Sequence, residues 1–160
     1  MSVQKVRQGE ITIARETGSI LEARSLGATL AVCLSDPSTG ISAAAVFVVP
    51  GKTEGIKIPE DMTAVSVTSG LPMLFRQFME AGASKAGMKI WFAGCGRFME
   101  SPPEFDLGLK LYSMAKKIIE KNGLKIAGEH VGGALNRSVM IEAGSDHITV
   151  RLADNTEVTL

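Results

Sequence analysis

The chain has 160 residues, with 17 Lys plus Arg against 17 Asp plus Glu, a formal net charge of zero. The length sets a single domain, 1–160, as the expectation; the balance excludes a strongly basic nucleic-acid binder and a polyacidic tail. Hydrophobic residues are 45% but aromatics only 5%, so aliphatic side chains, Ala and Met are expected to fill the core.

The first residues lack the apolar stretch of a secretory signal, and the longest apolar run, Ile41 to Pro50, is far short of the ~18 residues that span a bilayer. The expectation is a cytoplasmic protein with no membrane insertion. Glu10 to Arg15 alternates polar and apolar, as a half-buried strand does, and Ser19 to Ala23 reads as a second short strand. Lys5, Arg7 and Arg15, with Glu10 among them, read as a solvated face rather than a basic patch. Thr29 to Ser35 is nearly all apolar, a strand buried on both faces. The turn formers Asp36 to Gly40 then lead into Ile41 to Val49, so the pair reads as a hairpin. The charged stretch Gly51 to Asp61 reads as an exposed loop. Gly51-Lys52-Thr53 matches the end of a phosphate-binding loop, but the glycine required five positions earlier is Val46, so no phosphate site is expected.

Met62 to Ala81 has helical spacing with Gly70 and Pro72 inside it, which predicts a kink or a fresh helix start at Pro72. Met88 to Gly94 reads as a buried strand. Asp106 to Asn122 is the clearest helix: Leu107, Leu111, Met114 and Ile118 form its apolar stripe, widened by Leu109 and Ile119. Asp106 is the expected N-cap and Gly123 the stop. Strands follow at Leu124 to Glu129, Ser138 to Ile141, Ile148 to Leu152 and Glu157 to Leu160. Two main helices and about eight strands, many paired with sequence neighbours, indicate an α+β fold: packed β-sheets with helices on the outside.

Two Cys and two His, mostly far apart, cannot supply the four ligands of a structural zinc site, so no metal and no cofactor is expected. Cys33 and Cys95 are expected as buried free thiols. Gly94-Cys95-Gly96-Arg97 follows a buried strand. It reads either as a thiol at the rim of a cleft or as a strand-end turn with a buried Cys. His130 and His147 each stand beside a turn, as a general base or as a structural residue.

Leu26-Gly27-Ala28-Thr29-Leu30-Ala31-Val32-Cys33-Leu34-Ser35-Asp36-Pro37 resembles the L-G-S-C-V-A-V-x-L-x-D-P segment of the CheD family, the chemoreceptor glutamine deamidases. Ser42 to Pro50 resembles the family's G-M-A-H-x-x-L-P strand, and Lys89 to Gly96 its K-x-F-G-G-A strand and turn. Leu107-Gly108 resembles the start of its helix, and Gly128-Glu129-His130-Val131-Gly132-Gly133 with Arg137-Ser138 its A-E-D-x-G-G and R-S blocks. The blocks keep their order from Ile11 to Leu152. The resemblance implies two packed sheets with outer helices and a chemistry in which a Cys thiolate attacks a glutamine amide, aided by a His base that a Thr orients.

Carried over residue by residue, the Cys position is Thr29, the His position Val46 and the Thr position Ala23. The stretch from Thr29 to Val46 needs no gap. The expectation is therefore no catalytic residue: a CheD-like protein without deamidase activity, a binding or regulatory module linked to chemotaxis. Its expected partner is a protein, chemoreceptor helices or a chemotaxis phosphatase by resemblance. The competing reading is a hydrolase acting on protein glutamine side chains with a relocated nucleophile, Cys95 assisted by His130. Oligomeric state is not legible.

Overall fold

The computed structural model describes residues 2–51, 59–60, 62–98 and 102–160. The Gly51-Lys52-Thr53 motif and the charged loop after it lie, for the most part, outside these residues. Two five-stranded sheets stack face to face, and two helices cover the outer face of the second. Sheet one runs β1 (Val3–Lys5), β3 (Ile20–Leu26), β8 (Arg137–Glu142), β9 (Thr149–Leu152), β10 (Glu157–Thr159). Sheet two runs β2 (Ile11–Ala14), β5 (Ile41–Phe47), β4 (Leu30–Asp36), β6 (Lys89–Gly94), β7 (Gly128–Val131). The β1–β3 and β6–β7 pairs are parallel and the other pairs antiparallel.

The expected α+β architecture is the observed one, with ten strands among the described residues rather than about eight. The strand with no counterpart in the sequence reading is β1. Its three residues are all exposed and only Val3 is apolar, too short a pattern to read as a strand, and it is held by backbone pairing to β3.

Alternation along sheet two makes two cores. Leu30, Val32 and Leu34 of β4, with Phe47, Ile90 and Phe92, face the helices α1 (Val67–Glu80) and α2 (Leu107–Lys121). Ala31 and Cys33 of β4, with Val46, Trp91 and Ala93, face sheet one and meet Leu21, Ala23, Val139, Ile141 and Val150. Every residue of β4 and β5 is buried, which is why these strands read as unbroken apolar runs.

Helix α2 starts and stops where its caps predict. Asp106 Oδ1 accepts a hydrogen bond from Leu109 N at 3.0 Å. At the other end Gly123 N donates to Glu120 O and Leu124 N to Ile119 O, with Gly123 at φ +70, a Schellman stop. Its stripe differs from the expected one. Gly108, Leu111, Ala115 and Ile119 are buried, while Leu107 and Leu109 face outward. Gly108 sets this rotation: a Cβ there would lie 2.6 Å from Cys95 O.

Helix α1 starts at Val67, not Met62. Residues 62–66 run alongside the end of β5, where Val48 N and Val49 N both donate to Val65 O, and Val49 bridges Ser66. Pro72 thus sits in the second turn, where its missing N–H costs the Thr68 carbonyl its helical partner. The methionines are not the core filler expected. None in the described residues is fully buried; Met88 and Met114 pack only at the edge of the helix-side core.

Candidate functional site

The three positions that the resemblance assigns to catalysis meet the inter-sheet layer near one end of the stack. Ala23 on β3 and Val46 on β5 belong to that core, 2% and 1% exposed. Thr29 immediately precedes β4 and continues the face of Ala31 and Cys33. Because Ala31 is paired with Val46, Thr29 is its diagonal neighbour, roughly 7 Å away backbone to backbone. A methyl, an isopropyl and a secondary alcohol offer no thiolate and no proton carrier.

Thr29 is nonetheless unusual. Its Oγ1 is buried and has no hydrogen-bond partner among the described residues. Its carbonyl is engaged, accepting from Cys95 N at 2.8 Å. Leaving a buried hydroxyl unmatched costs about 1–2 kcal/mol. Thr29→Val, which keeps the shape and removes the polar atom, is therefore expected to raise stability by about 1 kcal/mol in urea titrations. A loss of stability would show that the hydroxyl is satisfied in solution.

The relocated pair does not assemble. In β6, Trp91 and Ala93 face sheet one, and strict alternation would carry Cys95 to that side too. Gly94 at φ +112 and Cys95 at φ +54 break the alternation and turn the thiol to the helix side, where it joins the core against α2. His130 on β7 is level with Ala93 and turns toward sheet one, where its Nδ1 lies 2.9 Å from Arg137 Nη1. The two side chains thus leave sheet two by opposite faces. Burial pushes the Cys95 thiol up to about 12, the nearby Arg137 charge only partly offsetting it. Burial, then the Arg137 charge, push His130 below its ordinary value.

Cys33 is equally unsuited to attack. It is a free thiol like Cys95, 2% exposed, and burial pushes it up to about 12. It shares the inter-sheet face with His130 but lies two strands and two residues away, on the order of 11 Å. His147 is exposed in the turn before β9, 2.9 Å from Asp146 Oδ1 through its Nδ1.

Two further residues organise this framework. Arg137, at the start of β8, is 3% exposed. It donates from Nη1 to His130 O at 2.9 Å and from Nη2 to Gly132 O and to Leu135 O, clasping the loop after β7. With a guanidinium against Nδ1, that nitrogen must accept, and the His130 proton sits on Nε2. Asp36 is fully buried at the end of β4 and accepts from Ser38 N, Ser38 Oγ, Ser84 N and Ser84 Oγ. The sequence marks Arg137 only within a family block, and Asp36 as a turn former and a member of another block; neither pattern reports burial.

The N-terminal segment crosses from one sheet to the other beside Val46. Val6 N donates to Glu22 O in sheet one, and Gly9 N to Val46 O in sheet two, each at 2.8 Å. Between this strap and the end of β3 lies an open cleft of about 440 Å³, with Leu26 and Val46 in its lining.

Comparison with known proteins gives this arrangement a relationship. A probable chemoreceptor glutamine deamidase of Syntrophus aciditrophicus is 26% identical over 142 residues, 89% of each chain. One from Natronomonas pharaonis is 28% identical over 158 residues, 98% of this chain and 92% of its own. One from Anaeromyxobacter dehalogenans is 23% identical, covering 96% and 97%. Among solved structures, a Neisseria meningitidis protein aligns with a TM-score of 0.45 and 13% identity, covering 84% of this chain and 63% of that one. The profile described as CheD chemotactic sensory transduction matches residues 49–152, from just beyond Val46 to the end of β9. That match, two-thirds of the chain in one block, makes the protein a member of the CheD family.

Proposed function

We propose that this chain is a CheD-family protein that binds a partner in chemotaxis signalling without deamidating it. The observation that carries the reading is the content of the three family positions: Thr29, Val46 and Ala23, two of them built into the inter-sheet core. The reaction needs a thiolate to attack the glutamine amide carbon, a proton for the departing ammonia, and water to hydrolyse the thioester. Neither cysteine supports it. Both are buried with strongly raised pKa values, and neither stands against a histidine.

The relatives are named as probable chemoreceptor glutamine deamidases. In this reading the chain retains their scaffold as one domain, 1–160, and works in the cytoplasm. It docks on the cytoplasmic helices of a chemoreceptor or on a chemotaxis phosphatase. None of the helices among the described residues is long and apolar enough to cross a membrane.

The test is direct. Incubated with purified receptor cytoplasmic domains, the protein should leave every glutamine unchanged by mass spectrometry while still binding them in pull-down. Thr29→Cys alone should also give no turnover, because Val46 cannot activate the new thiol. Gln-to-Glu conversion by the wild-type protein would overturn the proposal.

A further inference from the structure

The cleft under the N-terminal strap has a charge pattern that the loss of catalysis does not explain. Its walls carry Lys5 and Arg7 on one side and Arg24 on the other, against a single carboxylate, Glu22. In the parallel β1–β3 pair Lys5 is level with Glu22, and Arg7 and Arg24 line the same cleft just beyond that pairing. Like charges lining one cleft repel. Glu22 already serves Arg24, whose Nε donates to its Oε1. Lys5 and Arg7 are exposed and have no ion-pair partner among the described residues. A chain of zero net charge thus gathers three cations and one anion around one cleft.

The floor differs from the rim. Val6, Leu26 and Val46 are buried apolar residues lining the same space. Where the resemblance implies a histidine base, the residue here is Val46, a hydrocarbon. A cleft with an apolar floor and a cationic rim suits a side chain with a short aliphatic stem and a carboxylate end. About 440 Å³ admits such a side chain with its flanking backbone. Nucleic acid fits less well, because the lining holds no aromatic ring for a base to stack on.

We propose that this cleft binds acidic side chains of a partner protein, taking a glutamate carboxylate between Arg7 and Arg24 with its methylenes on Leu26 and Val46. This rests on the reading above that the chain binds without deamidating, and it names what the vacated end of the sheet stack recognises: the acid rather than the amide. It also gives Lys5 and Arg7 a use, where the sequence shows only a solvated face.

The test uses two fluorescently labelled peptides of identical length and spacing, one with glutamates and one with glutamines at the same positions. Anisotropy is read at low and moderate salt. The glutamate peptide should bind at least tenfold more tightly, with affinity falling as salt rises. Arg7→Glu should weaken it at least tenfold, whereas Arg7→Lys should keep most of the binding; Arg7 is exposed, so both variants should fold. Equal affinity for the two peptides, indifference to Arg7→Glu, or tighter binding of a single-stranded oligonucleotide of matched charge would each overturn the proposal. Mass spectrometry of the glutamine peptide after incubation reads the deamidase question separately. Conversion there defeats the non-catalytic reading, whereas failed glutamate binding without conversion defeats only the cleft.

Discussion

Asp36→Ala should destabilise the protein by about 3 kcal/mol, a drop in melting temperature on the order of 10 °C. The carboxylate is fully buried and takes two donors from Ser38, just past the β4 end, and two from Ser84, in the loop after α1. It therefore bolts the β4–β5 hairpin to the end of a helix. Removing it leaves the Ser38 and Ser84 backbone N–H groups without their acceptor, where Gly87 packs so close that a Cβ would collide with the Asp36 carboxylate. Asp36→Asn keeps the volume and one acceptor oxygen and should lose roughly half as much.

The pH dependence follows from the same contacts. Burial by itself would raise the Asp36 pKa, but the hydrogen bonds from Ser38 and Ser84 outweigh it and hold the carboxyl well below the ordinary carboxylate range. A depressed folded pKa adds stability above the unfolded value of about 3.9, and that stability is lost as pH falls through the folded value. The gap between wild type and Asp36→Asn should thus be full at pH 6 and shrink steadily below about pH 4. A gap that is constant with pH, measured by urea titration across that range, would remove the charge from the explanation.

Gly94→Ala should cost at least ~3 kcal/mol and leave little folded protein at 37 °C. Two penalties coincide there. The backbone sits at φ +112, and a Cβ would fall well inside contact distance of the Thr29 carbonyl oxygen. That oxygen is fixed by the Cys95 N–H at 2.8 Å, so it cannot yield without opening the β4–β6 edge. Gly18→Ala separates the two penalties. Gly18 has φ +87 and nothing within 4 Å of a Cβ, so its loss should be only about 1 kcal/mol. Similar losses at the two glycines, by thermal or urea unfolding, would mean that strain alone governs Gly94.

What the sequence reveals follows what each residue reports locally. The α2 boundaries are written in side chains, Asp106 accepting at one end and Gly123 turning at the other. The paired strands β4 and β5 announce themselves because both faces are buried. The start of α1 is hidden, because residues 62–66 have helical spacing yet are drawn into pairing by Val48 and Val49. Likewise β7 starts at Gly128 rather than Leu124, since Leu124 N is spent closing α2.

The candidate site was legible only through family blocks, because Ala23, Thr29 and Val46 look like ordinary strand residues. The sequence suggests the Cys95–His130 pairing because both residues follow strands and lie beside glycines, and β6 and β7 are indeed neighbours. Two successive positive φ angles send the thiol to the other face, and nothing in Gly-Cys-Gly spells out that reversal. The cleft cations were visible as residues but not as a group, since Arg24 reaches Lys5 and Arg7 only through the parallel β1–β3 pairing.

The strand order of the two sheets also sets an order of assembly. In sheet two, β2, β5, β4 and β6 all come from Ile11 to Gly94, so four of its five strands can associate once the first 94 residues are free. Sheet one cannot close so early, because Ala23 of β3 is paired with Val139 of β8. Until β8 arrives, β3 has only the three-residue β1 beside it, and the inter-sheet face of β4 and β5, with its row of Ala and Val, stays uncovered. Contacts that close so long a loop form late. During synthesis, this chain is therefore most exposed to aggregation after its helix-side core has formed and before its last quarter has emerged, the interval a chaperone would have to cover.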